Sequence, residues 1–418
     1  MDHVLSLRCL LCGTEHRPDE VAYVCPAHGD DGVLDVVYDY DLIGRRTTRE
    51  SVARGSGMWR FRNLLPVAPS TPVPPILVGD TPLVDAPRLA AAAGVARVWV
   101  KDEGRQPTAS LKDRASAMAV AKAAERGIGT ITTASTGNAA AALAGMCAAA
   151  AARAVIFVPA SAPPAKIAQL HAFGAAVVLV DGTYDEAVAL SMTAARVRGW
   201  YNRNTGYNPY MTEGKKTAVY EICEALGWDA PDVIAVGVGD GCIIGGLHKG
   251  LRDLLALGWI DRMPRLVGVQ ATGSAYLADA WRFDEDVNTK PAIVASTVAD
   301  SIAAGLPRDR VKAMAAVRDT GGVFVTVSDE EILAAIPAVA RGCGVFGEPA
   351  AAASWAGLRA AVAQGAVGGA DRVVIMNTGS GLKDVAAASR GAAAAGITAV
   401  HVRPDGRDLE DALDQLEK

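Results

Sequence analysis

From residue 96 onward, short β-branched runs alternate with Ala-rich helical stretches, and this alternation constrains the fold more than any other feature of the chain. The runs are Arg97–Lys101, Thr130–Thr133, Ala154–Val158, Ala176–Val180, Val233–Val238, Leu266–Gln270, Val323–Val327 and Val373–Met376. Apolar strands without polar alternation, set between helices, indicate parallel sheets covered on both faces. Eight such runs exceed one small sheet, so two α/β units are expected. The length, 418 residues, allows two or three domains around a large core. No repeat recurs at a fixed period.

Half the residues are hydrophobic and 21% are charged, which fits a globular enzyme and argues against disorder. A net charge of −5 without like-charge runs argues against nucleic-acid partners and a membrane-surface patch. The N-terminus lacks a leader pattern. The longest apolar stretch, Ala139 to Ala152, is ended by Arg153 and is too short to span a bilayer, so it reads as a buried core helix. Seven scattered Cys, an odd number, do not form a disulfide framework. The expectation is a reduced, cytoplasmic protein.

The first forty residues differ in character. Cys9-x-x-Cys12 and Cys25-x-x-His28 have the spacing of a Cys₃His zinc knuckle, whose metal would be structural because four protein ligands leave no open position. A knuckle without metal is the alternative. A polar, Arg-rich segment, Arg45 to Arg62, follows, and then a Pro-rich stretch, Pro66 to Pro82, which reads as an extended linker or arm. Cys147, Cys223, Cys242 and Cys343 read as ordinary buried thiols.

Open parallel sheets place ligands beyond the carboxyl ends of their strands. Four loops there carry candidate chemistry. After Arg97–Lys101 comes GRQPTASLKDRAS, with Lys112 at a helix start, where partial desolvation and the helix dipole both lower an amine pKa. A low pKa suits a Schiff-base lysine, although a surface ion pair is the commoner fate of a lysine. After Thr130–Thr133 comes Ser135-Thr136-Gly137-Asn138-Ala139, which fits a carboxylate or, equally, an ordinary N-cap. After Val233–Val238 comes GVGDGCIIGG, Gly237 to Gly246. Its spacing fails both the dinucleotide fingerprint and the P-loop, leaving a single phosphate or a plain tight turn. After Val373–Met376 comes NTGSGLKD, in which Thr378 offers a hydroxyl at a strand end. An amine, a carboxylate site, a monophosphate site and a hydroxyl partner together are what a pyridoxal-phosphate (PLP) enzyme acting on amino acids requires.

The same segments resemble the fold-type II PLP enzymes, and among them the threonine synthase family. Gly79-Asp-Thr-Pro-Leu83 is similar to G-x-T-P-L, and Pro107 to Arg114 to P-T-G-S-F-K-D-R. Ser135 to Asn138 is similar to S-[ST]-G-N, and Glu213 to Thr217 to E-G-x-K-T. Glu348-Pro349 and Thr378 to Asp384 complete the family order. The resemblance implies two open, twisted, mainly parallel sheets of the tryptophan synthase β type, behind a small N-terminal zinc-ribbon-like segment. It implies Lys112 as Schiff-base lysine and main base, and Asn138 on the cofactor's 3′-oxygen. Ser135, Thr136, Gly137, Asn138 and Ala139 would hold the substrate carboxylate. The amides of Gly237, Val238, Gly239, Asp240, Gly241, Cys242 and Ile243 would hold the cofactor phosphate, and Thr378 would face the pyridine nitrogen. The domains expected are 1–45 (Cys/His knuckle), 46–111 (arm and first part of the large domain), 112–203 (small mobile domain) and 204–418 (large domain and tail). A homodimer is expected on the same ground.

Two departures bear on the substrate, expected to be a small amino acid. Ala109 stands at the motif Gly and Leu111 at the motif Phe, both read as mild changes. Threonine synthases often read N-S-x-N-P-x-R-x-E-G, whose Arg helps bind the substrate's phosphate. Here Met211 takes the Arg position and one residue is added before Asn208. Met forms no charge-assisted bond to phosphate, though Arg203, Lys215 or Lys216 are available to compensate. The activity implied is β- or γ-elimination or replacement on an L-amino acid. A serine/threonine ammonia-lyase and a cysteate- or cysteine-synthase-like β-replacement are the alternatives.

Overall fold

The computed structural model describes residues 1–162, 164–397 and 399–416. All eight runs read from the sequence are strands. They divide between two sheets, as the count required.

The larger sheet has six strands in the order β12-β11-β10-β13-β5-β4. In chain order these are β4 (Leu83–Asp85), β5 (Arg97–Asp102), β10 (Val233–Gly237), β11 (Arg265–Ala271), β12 (Val323–Val327) and β13 (Arg372–Asn377). All neighbours pair in parallel except β4, which lies antiparallel on β5 at the edge. The smaller sheet is wholly parallel, in the order β8-β7-β6-β9. Its strands are β6 (Thr130–Ala134), β7 (Arg153–Pro159), β8 (Ala176–Val180) and β9 (Tyr201–Asn202). A third, antiparallel sheet is built by β1 (Val4–Cys9), β2 (Glu15–His16) and β3 (Leu34–Tyr38).

The helices that matter for the site are, in chain order, α1 (Lys112–Glu125), α2 (Asn138–Ala149), α3 (Tyr184–Arg198), α4 (Tyr210–Lys215), α5 (Thr217–Ala225), α6 (Cys242–Ala256), α7 (Pro349–Ala363) and α8 (Leu409–Leu416). Helix α2 covers most of the apolar Ala139–Ala152 stretch and is a buried core helix, as its composition implied. Helix α8 lies near the C-terminus.

The Pro66–Pro82 stretch, read as a linker or arm, is anchored on the body: its Val67 and Val78, with Met58, Phe61, Leu64 and Leu65 just before it, are buried in one core cluster with α1, α5 and α6. The N-terminal sheet is tied into the same body by charge. Lys249 on α6 donates to Asp35 Oδ2 at 2.9 Å, Tyr38 donates to Glu213 Oε2 at 2.5 Å, and Tyr40 donates to Asp253 Oδ1 at 2.5 Å. Of the four thiols expected to be buried, Cys147, Cys223 and Cys242 are, whereas Cys343 is only half-buried.

Candidate functional site

The residues around Lys112 explain why that lysine sits where it does. Asp113 turns back on the preceding loop and accepts from the Thr108 amide at 2.7 Å, which fixes the Pro107–Ser110 turn. Arg114 is fully buried between two glutamates. Its Nε and Nη2 donate to Glu103 at 2.8 Å, and its Nη1 and Nη2 donate to Glu221 on α5 at 2.7 Å. Lys101 at the end of β5 donates to the same Glu221 at 2.7 Å, so two cations face two anions. A closed, balanced network of this kind resists distortion, because losing any one member strands a buried charge. The first turn of α1 is therefore held from both sides, and Lys112 is presented half-buried at its start.

Burial lowers the Lys112 amine to about 8, helped by the positive charges of Lys215 and Arg203. That is the direction expected from its sequence position. Its neutral form is accessible near neutral pH, as a nucleophile or base requires.

The loops at the ends of β5, β6, β10 and β13 converge around it. The Leu111 amide donates to the Thr378 carbonyl at 3.0 Å, and the Ser380 amide donates to the Ala109 carbonyl at 3.0 Å. The β13 loop thus runs antiparallel against the turn that carries the lysine. Gly379 lies on the Glu348 carboxylate. Asn138, first residue of α2, donates to Glu348 Oε1 at 2.7 Å and so joins the β6 loop to the N-cap of α7. A cavity of about 360 Å³ opens here, lined by Ala109, Thr136, Gly137, Asn138, Glu348 and Lys383, with other residues at its rim. Lys112, Thr378 and the β10 turn do not line it.

In the β6 loop, Ser135 Oγ accepts from the Gly137 amide at 3.2 Å, and the first amides of α2 have no carbonyl one turn back to bond. The β10 turn enters α6 through Gly241, whose φ of +90° no ordinary side chain adopts without strain. The result is a helix N-terminus of the kind that receives an anion. Asp240, in this turn, has its carboxyl raised by burial, and Lys112 opposes that rise.

Glu348 carried no role in the sequence reading beyond its place in a motif. The structure buries it against Asn138, and that burial raises its carboxyl to about 7. Met211, at the motif Arg position, is a fully buried core residue. Ala109 adopts φ +63°, in the left-handed region, so the exchange of Gly for Ala is less mild there than the sequence suggested. At the N-terminus, Cys9, Cys12, Cys25 and His28 bring one ligand atom each to within 4.8 Å of one another, with Cys9 Sγ 3.7 Å from His28 Nδ1.

The family described as "Pyridoxal-phosphate dependent enzyme" matches residues 75–379. The threonine synthase of Methanosarcina acetivorans is 40% identical over 379 residues, covering 90% of this chain and 92% of that protein. The threonine synthase of Methanocaldococcus jannaschii is 35% identical over 385 residues, covering 92% and 94%. Among solved structures, the processed threonine deaminase isoform 2 of Solanum lycopersicum superposes with a TM-score of 0.65 at 20% identity, over 85% of this chain and 92% of that one. At that identity the superposition speaks for the fold alone.

Proposed function

This chain belongs to the family of pyridoxal-phosphate dependent enzymes, and we propose that it carries out elimination or replacement at the side chain of an L-amino acid, as a threonine-synthase-like lyase. The observation that carries this reading is Lys112: half-buried, lowered to about 8, and set among four strand-end loops.

The residues present fit the cofactor. The β10 turn, Gly237 to Ile243, opens onto the N-terminus of α6 and suits its phosphate. Lys112 Nζ would hold its aldehyde carbon, Asn138 its 3′-oxygen, and Thr378 its pyridine nitrogen. When bound, PLP supplies the electron sink that makes the substrate's α-proton removable. The chain supplies the rest. Lys112 takes the proton from the substrate Cα and returns one later in the cycle. Ser135, Thr136, Gly137, Asn138 and Ala139 orient the carboxylate at the α2 N-terminus. Glu348, beside Asn138 and near neutral pKa, holds a proton close to the 3′-oxygen's partner. A hydroxyl at Thr378, rather than a carboxylate, favours chemistry at the side chain over transamination.

The division proposed is 1–45, 46–111, 112–203 and 204–418, with 112–203 as a small unit that closes on substrate and excludes water. Cys9, Cys12, Cys25 and His28 hold a structural zinc. A cytoplasmic homodimer is the assembly proposed. No helix among the described residues is long and apolar enough to cross a membrane.

The test uses purified protein with added PLP. The absorbance of a lysine-bound cofactor at the visible edge should form and be lost in Lys112→Ala; its absence from the wild type would sink the proposal. The buried Met211 favours a second reading, an ammonia-lyase with no need of an anion on the side chain. Ketoacid release from L-threonine or L-serine, set against phosphate release from O-phosphohomoserine, separates the two.

A further inference from the structure

The segment between β2 and β3 has little backbone order of its own. From Arg17 to Val33 it contains one three-residue turn of 3-10 helix, Gly29–Asp31, and one isolated bridge, Val24 to Val33. Cys25 and His28 stand in it, with their ligand atoms within 4.8 Å of those of Cys9 and Cys12. Short irregular segments of this kind take their shape from the metal they bind. The two flanks of this ligand loop reach two different sides of the candidate site.

Tyr23, two residues before Cys25, packs on the small sheet. Its hydroxyl accepts from the Asn202 amide at 2.9 Å, and its ring lies 5.1 Å from that of Tyr207 and 5.7 Å from that of Tyr201. β9 has two residues and one neighbouring strand, so its outer edge is open. Asn202 is 1% exposed, and Tyr23 gives its buried amide the acceptor that a further strand would otherwise supply. The next residue is Arg203. Its amide donates to the Thr132 carbonyl on β6 at 2.9 Å, and its Nε donates to Ser116 Oγ at 3.2 Å, one turn along α1 from Lys112. Behind burial and Lys215, the Arg203 charge contributes to the lowered Lys112 amine.

Asp31, three residues after His28, packs on the phosphate side. Arg310, 7% exposed, donates from Nη2 to Asp31 Oδ1 at 2.9 Å, and among the described residues no other carboxylate lies within ion-pairing distance of it. Arg310 opens the helix Arg310–Asp319. The residue before it, Asp309, donates its amide to the Asp240 carbonyl at 2.8 Å. A Cβ at Gly241 would meet the Asp309 carbonyl oxygen at 2.8 Å, so the two backbones are in contact. Asp240 and Gly241 belong to the β10 turn that suits the cofactor phosphate.

Resting on the zinc and PLP readings above, we propose that Tyr23 and Asp31 are positioning residues, through which a metal at Cys9, Cys12, Cys25 and His28 holds the end of β9 and the β10 turn in place about Lys112. The metal fixes the spacing of the two flanks. Tyr23 then sets where the Arg203 guanidinium stands, and Asp31 sets where the phosphate turn stands. Metal occupancy acts on the site in this way from a distance, because neither residue is among those assigned to cofactor or substrate.

The PLP-loaded full chain, with and without zinc, is compared with Tyr23→Phe and Asp31→Asn. The readouts are zinc per chain by elemental analysis, PLP affinity, the pH midpoint of the visible-edge absorbance, and amide hydrogen exchange. Both variants should keep one zinc per chain. Tyr23→Phe should speed exchange at Asn202 and Arg203 about tenfold and move the pH midpoint by about 0.5 unit. Asp31→Asn should weaken PLP binding about threefold. Removing zinc from wild type with a chelator should reproduce both effects, and zinc added back should reverse them. Exchange in β10, β11 and β13 should stay within about twofold throughout. If chelation unfolds the chain, the two variants, which keep the metal, decide. Variants that keep zinc and match wild type in every readout overturn the proposal. So does zinc removal that leaves the readouts unmoved, or that raises exchange uniformly in a chain still folded, the mark of a merely stabilising metal. Wild type that binds no zinc overturns the zinc reading and the proposal with it. Absence of visible-edge absorbance overturns the PLP reading, while exchange at β9 still reports on the metal and Tyr23.

Discussion

Ala109 holds a left-handed backbone, φ +63°, three residues before the reactive lysine, and its main chain is held on both sides by hydrogen bonds. Its amide donates to the Gln106 carbonyl at 2.8 Å, and its carbonyl accepts from the Ser380 amide at 3.0 Å. A Cβ in this region costs about 1–2 kcal/mol. Replacing Ala by Gly returns some of that relief as unfolded-chain entropy, about 0.4–1 kcal/mol. The difference predicts that Ala109→Gly stabilises the holoenzyme by about 0.5–1 kcal/mol. In a chain of this size that is about 1–3 °C in Tm. The control is Ala119→Gly in the middle of α1, where glycine should cost about 1 kcal/mol and lower Tm. Thermal melts at saturating PLP, in parallel with urea midpoints, read both. A midpoint for Ala109→Gly equal to or below wild type would refute the claim that the turn is strained. Equal losses in the two variants would show that glycine is simply unfavourable in this protein.

Two further predictions concern Glu348 and the N-terminal cluster. Burial raises the folded-state carboxyl of Glu348 to about 7, against an ordinary 4.5, so the unfolded chain releases this proton first as pH rises. Stability from this group is complete below about pH 4.5 and is lost through pH 7, with a ceiling of about 3 kcal/mol at about 1.4 kcal/mol per pH unit. Glu348→Gln should therefore lose less stability than wild type between pH 5 and 7.5 in denaturant titrations, and parallel curves would contradict the assignment. Purified wild type should carry one zinc per chain by elemental analysis, while Cys25→Ser should carry far less and melt lower. Wild type without metal would remove zinc from the description.

The parallel strands were legible because each is an unbroken apolar run buried on both faces, and Ala176–Val180 and Val323–Val327 match the runs residue for residue. β4 and β9 were not read, for the opposite reason. They have three and two residues, too short to show a period, and they exist because β5 and β6 offer them an edge. The antiparallel N-terminal sheet was masked by its turn residues and metal-ligand spacing. In the site, Lys112 was legible from its motif, but its low pKa depends on Lys215 and Arg203, which lie about 90–100 residues later in the chain. Glu348 is similar. Only the fold brings it to Asn138, 210 residues away.

The N-terminal sheet bears on how the chain is made as well as on what it does. Asp35, Tyr38 and Tyr40 leave the ribosome first, yet the groups they bond, Glu213, Lys249 and Asp253, follow about 175 to 215 residues later. Contacts of such separation form late and slowly, because a long loop must close before they return any energy. Cys9, Cys12, Cys25 and His28, by contrast, span only twenty residues and could take a metal while the rest is still being synthesised. A metal-ordered hairpin waiting for its partner would keep the apolar side chains of β1 and β3, Leu7 and Val36 among them, together until α4 and α6 arrive to cover them.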